Sequence, residues 1–153
     1  LSVQMPEDDS SLLPTHSDVW SEDSPFEVVL WLPFVDCANT MSMFLLPPKE
    51  LEWAHGKLRE LRDGGVEDFF HAIRDRVVWP EVRRGQFMVF NHGLVHGNRV
   101  NRESATRWSL NGRFKSLFSP YAEKRLGDFF VPITTRPATR FGISYRLPDV
   151  FDE

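Results

Sequence analysis

Two histidines, an aspartate and an arginine are ordered along this chain so that they could hold a metal ion and an acid beside it. His16-Ser17-Asp18 sets an imidazole and a carboxylate two residues apart. On an extended segment such side chains point to the same side. His96, far down the chain, can close the set. Two His and one carboxylate on one face of an octahedron leave three positions open, which suits non-haem Fe(II) chemistry with a cosubstrate and O2. Arg107-Trp108-Ser109 follows. The guanidinium fork of Arg107 can grip a carboxylate bidentately, and Ser109, on the same strand face, can donate to the same group. An arginine on an apolar strand is costly to bury without an anionic partner, and a bound carboxylate would supply one. Arg113 shares that face and is the other candidate. His92 competes with His96 for the third ligand position, but Asn91-His92-Gly93 reads as a turn, which favours His96.

This ordered set resembles the Fe(II)/2-oxoglutarate dioxygenases, and more closely their phytanoyl-CoA-dioxygenase-like branch. That branch reads H-x-D, an apolar strand, then H-G-x-x-x-N before an Arg. Here the text is His96-Gly97-Asn98-Arg99-Val100-Asn101-Arg102-Glu103-Ser104, with Arg107 after it. The stretches Ser24 to Trp31, Val35-Asp36-Cys37 and Ser42-Met43-Phe44 are similar to the bacterial members found in carbohydrate-biosynthesis gene clusters. The likeness runs from about Thr15 to Phe114. It implies Fe(II) held by His16, Asp18 and His96. It implies 2-oxoglutarate chelating that metal, its distal carboxylate on Arg107 and Ser109, with O2 as the other reactant. Asn98 is then a candidate for the oxoacid end of the cosubstrate and Trp31 for its wall. The implied reaction hydroxylates or oxidises a small molecule, a carbohydrate or sugar conjugate. Asp18 argues against a halogenase, which needs an open position where this carboxylate binds. The competing class is a non-oxidative cupin-type sugar-modifying or sugar-binding protein, which has no need of Arg107-Trp108-Ser109.

The elements that must position these residues read mostly as β. Phe26 to Val35 is an apolar run bounded by Pro25 and Asp36, and Met41 to Leu46 is a second, ended by Pro47-Pro48. Residues 49–62 place Leu51, Ala54, Leu58 and Leu61 at helical spacing before Gly64-Gly65, and a shorter helix covers 66–76. His55 and His71 read as ordinary helix histidines. Strand text resumes at 77–79, 85–90, 94–96 and 106–114, with further candidates at 128–134 and 140–146. Glu7-Asp8-Asp9 reads as a solvated turn. Arg74, Arg76, Arg83 and Arg84 around Trp79 read as a solvated rim or, more sharply, as a site for a phosphate near a barrel mouth. Short strands, Gly and Pro turns and one helical insertion point to an all-β double-stranded β-helix, a cupin-like jelly roll. That architecture can lay the H-x-D segment beside the late His strand.

At 153 residues the expected organisation is one domain, 1–153, and 13% aromatic content is enough for a packed core. A net charge of −4 gives no electrostatic claim on nucleic acid or an anionic membrane. The single cysteine, Cys37, rules out an internal disulfide framework and fits a reducing cytoplasm. No run approaches a membrane span. A homo-oligomer is left open. Only fifteen residues precede His16, so helices and strands that the resembled enzymes carry ahead of the H-x-D are expected to be lacking here.

Overall fold

The computed structural model describes residues 1–61 and 64–146. The apolar run after Pro25 forms β2 (Glu27–Pro33), and the alternating segment after His96 forms β6 (Arg107–Lys115). They pair antiparallel along their length, with Trp31 opposite Asn111 and Val29 opposite Arg113. β4 (Met88–Asn91) flanks β2, and β1 (Ser2–Gln4) flanks β6, giving the order β1-β6-β2-β4. A second sheet consists of β3 (Phe44–Leu45) and β5 (His96–Gly97), also antiparallel.

The core lies between the sheets because each strand turns alternate residues inward. Val29, Trp31 and Phe90 from the large sheet pack with Met43 and Leu45 from the other side. Leu46, next to Leu45, points the opposite way. With Val95 it packs against α1 (Leu51–Glu60) and α2 (Val66–Ile73) through Ala54, Phe69 and Ile73. The helical insertion therefore backs the small sheet and leaves its inner face to the site. On β6 the same alternation turns Arg107 and Ser109 inward while Trp108 and Leu110 are exposed.

Several expectations are corrected. The strand expected at 140–146 is instead α3 (Pro137–Ser144). Pro137 at the first helical turn has its φ already set for a helix and loses no backbone donor there, a start signal that outweighs the β-formers Phe141 and Ile143. The candidate at 128–134 forms no strand, only a bridge between Leu126 and Phe130. The segment at 77–79 reduces to a bridge between Val78 and Leu45. Residues ahead of the Glu7-Asp8-Asp9 turn, where no strand is expected from the sequence, supply edge strand β1. Helices at α1 and α2 match the expectation, with Val66–Ile73 shorter than 66–76. Of the basic rim, Arg76 pairs with Glu50 and stacks on Trp53, Arg74 lies 3.8 Å from Asp75, and Trp79 packs edge-on to Phe44. The observed architecture is β-rich with antiparallel sheets and helices. Among the described residues no helix is long and apolar enough to cross a membrane.

Candidate active site

The H-x-D segment is held against β5 by its own backbone. His16 N donates to His96 O at 2.9 Å and His96 N to His16 O at 2.8 Å, so the two histidines are direct cross-strand partners. Asp18 N donates to His92 O, and Ser17, extended at φ −125°, turns its hydroxyl the other way to donate to Gly93 O. His16 and Asp18 thereby share a side, as their spacing implies. Gly97 allows the close approach. A Cβ there would meet the Leu13 and Pro14 carbonyls at 3.0 Å and Phe44 at 2.9 Å.

The imidazole nitrogens are aimed by carbonyls. His16 Nδ1 lies 2.7 Å from Pro14 O, and His96 Nδ1 lies 2.8 Å from Leu94 O. A carbonyl only accepts, so each Nδ1 carries the proton and each Nε2 offers its lone pair to the site. One ligand atom each from His16, Asp18 and His96 lie within 4.8 Å of one another, a group that could hold a metal ion. His16 Nε2 is 3.7 Å from Asp18 Oδ1, and His96 Nε2 is 3.9 Å from Oδ2.

Protonation favours ligation at His96 and Asp18. Burial pushes His96 down to about 4, helped by the neighbouring His16, so its lone pair is free at neutral pH. Burial would raise Asp18, but His16, His96 and Arg113 more than offset it and hold the carboxyl at about 2. Burial lowers His16, yet the Asp18 carboxylate and the Pro14 carbonyl leave it raised overall. His92 is fully buried, its Nε2 donates to Ser24 O at 2.5 Å, and its Nδ1 faces Asp18 Oδ2 at 3.6 Å from behind. It stands outside the convergent group, in the turn expected of it.

A cavity of about 200 Å3 opens in front of these ligand atoms. Trp31, Asn98, Arg107 and Ser109 all line it together with His16, Asp18 and His96. Arg107 is only 3% exposed, yet among the described residues its side chain has no hydrogen bond or ion pair, and its Nε is an orphan. Burial lowers its pKa. Ser109 Oγ is also buried without a partner. Asn98 Oδ1 accepts from Leu13 N at 2.5 Å, which leaves its Nδ2 buried and unpartnered. Arg113, the other candidate, is paired with Asp18 and Asp23. Unpartnered buried donors are costly. Three facing one cavity fit an anionic ligand with more than one oxygen.

Sequence reasoning missed the charged group behind Asp18, made of Asp23, Glu27, Lys115 and Lys124. One signal was available: Glu27 and Lys115 are ionisable residues on strands otherwise built for burial, and they stand opposite each other in register. Their side chains are almost wholly buried, 3.9 Å apart.

No protein-family model matches the sequence, and no curated protein matches it. The solved structure of AviO1 from Streptomyces viridochromogenes Tue57 shares the fold, with a TM-score of 0.53 and 16% identity over 78% of this chain. The chain spans 50% of the length of AviO1. HygX from Streptomyces hygroscopicus, solved with nickel, 2-oxoglutarate and hygromycin B bound, aligns with 82% of this chain and 57% of its own at 15% identity and a TM-score of 0.48. The nickel complex of ThoJ, a non-heme monooxygenase, aligns at 15% identity over 74% of this chain and 41% of its own, with a TM-score of 0.47.

Proposed function

We propose that this chain is the jelly-roll catalytic domain, 1–153, of a cytoplasmic Fe(II)- and 2-oxoglutarate-dependent oxygenase acting on a carbohydrate or sugar conjugate. The observation that carries the reading is the presence of two complementary groups in one cavity. His16, Asp18 and His96 converge there, and Arg107, Ser109 and Asn98, with unsatisfied donors, line the same cavity. Held by His16, Asp18 and His96, bound iron with 2-oxoglutarate and O2 would supply the oxidising power to hydroxylate a substrate C–H bond, with succinate and CO2 as the co-products.

The residues do the rest. His16 and His96 each offer Nε2 because a carbonyl fixes the tautomer, and Asp18 supplies negative charge. Arg107 pairs with the distal carboxylate of the oxoacid, and that ion pair removes the cost of a buried unpaired guanidinium. Ser109 donates to the same carboxylate, and Asn98 Nδ2 to the oxoacid end. Trp31, buried opposite Asn111, walls the cavity and keeps water from it. A non-oxidative cupin would have no use for the orphaned Arg107. The lone thiol, Cys37, is pushed up to about 11 by burial, an inert group that suits a reducing compartment.

Iron-loaded protein, incubated with 2-oxoglutarate and panels of nucleotide sugars, sugar phosphates, amino acids and acyl thioesters, is expected to form succinate above the uncoupled background only with sugars. Stimulation by an amino acid or acyl thioester alone would overturn the carbohydrate assignment.

A further inference from the structure

Asp18 has two carboxylate oxygens, and the site treats them differently. Oδ1, 3.7 Å from His16 Nε2, accepts a hydrogen bond from Arg113 Nη2 at 2.9 Å, whereas Oδ2 has no hydrogen-bond donor among the described residues and lies 3.9 Å from His96 Nε2 and 3.6 Å from His92 Nδ1. The other arm of the same guanidinium, Nη1, is bound by Asp23, and Asp23 is bound in turn by Lys124. Arg113 stands on β6, paired across from Val29 of β2.

We propose that Arg113 is the positioning residue of this site: it occupies Oδ1 of Asp18, is braced by Asp23, and so leaves Oδ2 as the single oxygen offered to the metal. The inference rests on the functional reading above and adds to it how the carboxylate is kept from turning both oxygens inward. A carboxylate bound through one oxygen leaves the remaining positions free for the cosubstrate and O2. Arg113 suits the task because its planar fork serves two carboxylates at once, which an ammonium cannot do in fixed geometry. It is not the cosubstrate's partner, since both of its Nη atoms are already engaged, while Arg107 is unpaired among the described residues.

The sign of one measurement separates this role from a bystander's. Taking a cation away from beside a divalent ion would, by Coulomb's law alone, tighten metal binding. Loss of a group that orients a ligand weakens it, commonly by 10–100-fold. Protein free of metal and of 2-oxoglutarate should therefore be titrated with Co(II), reading affinity and the visible spectrum at saturation, for wild type, Arg113→Met and Arg113→Lys, with a melting curve for each. Arg113→Met is expected to bind Co(II) about tenfold or more weaker and to show an altered spectrum, with part of the affinity recovered in Arg113→Lys.

Unchanged or tighter binding in Arg113→Met overturns the inference. So does weaker binding with an unaltered spectrum, which would report only a general loss of stability. Should Arg113→Met not melt cooperatively, Arg113→Lys decides: it keeps the charge but not the fork, so wild-type affinity and spectrum would overturn the inference and weaker binding with an altered spectrum would uphold it. A wild type that binds no Co(II) defeats the functional reading itself, and this inference with it.

Discussion

Arg107 carries the most chemical information of any single residue in this molecule. An arginine buried to 3% exposure with no partner among the described residues carries an uncompensated burial cost, which an anionic group of a ligand would remove. Arg107→Met is therefore expected to lower 2-oxoglutarate affinity at least tenfold, since a charge-assisted contact is worth about 1.5–3 kcal/mol. It is also expected to leave metal affinity intact and to leave the ligand-free melting temperature unchanged or higher. Calorimetric titration of the nickel-loaded variant, with a melting curve beside it, checks both halves; undiminished 2-oxoglutarate affinity would remove Arg107 from the site. At this scale the sequence was readily legible. The residue types were rare enough on apolar strands, and ordered enough, for His16, Asp18, His96, Arg107, Ser109, Asn98 and Trp31 to be named, and all seven line one cavity. The brace behind Asp18 was not legible. Asp23 and Lys124 are ordinary charged residues until the fold joins them through Arg113.

Among the elements, the decisive contact is between the H-x-D segment and β5. Gly97 is there because no side chain fits: two backbone carbonyls stand 3.0 Å from where its Cβ would be, and backbone cannot rotate away as a side chain can. Gly97→Ala should push residues 13–16 off β5, separate His16 from His96, and cost roughly 1–3 kcal/mol of stability. Metal affinity should fall although no ligand has changed. Gly56 in α1 is the control. Nothing lies within 4 Å of its Cβ position, so Gly56→Ala should stabilise by about 0.5–1 kcal/mol in the same denaturant titration. Strands β2 and β6 and helices α1 and α2 were readable because each is long enough to show a period. β3 and β5 fall within the runs read at 41–46 and 94–96 but are only two residues long, and β1 was not read at all, since so short a strand has no period and is made a strand by the partner it meets.

For the molecule as a whole, the site leaves its mark on stability. His96 is held near 4 in the fold, whereas in the unfolded chain it binds a proton below about 6.5. Between those values the unfolded state holds more protons, so stability falls as pH drops from 6.5 towards 4, by roughly 3 kcal/mol at the lower end. His16 acts with the opposite sign. Its raised value stabilises fully below 6.5, and that contribution fades as pH rises through its folded value. Asp18, at about 2, loses its contribution only below 3.8. Melting curves of metal-free protein should therefore shift to lower temperature from pH 6.5 to 4, and His96→Gln should flatten that slope; a slope unchanged in the variant would assign it to other groups. The central claim is that one cavity holds a metal and an oxoacid together. It is tested most directly by adding Fe(II) and then 2-oxoglutarate to the protein without oxygen and watching for the weak visible charge-transfer band of the chelate. The account predicts that the band appears only with both present and is lost in His96→Ala. A protein that binds Fe(II) but develops no band at saturating 2-oxoglutarate would contradict it.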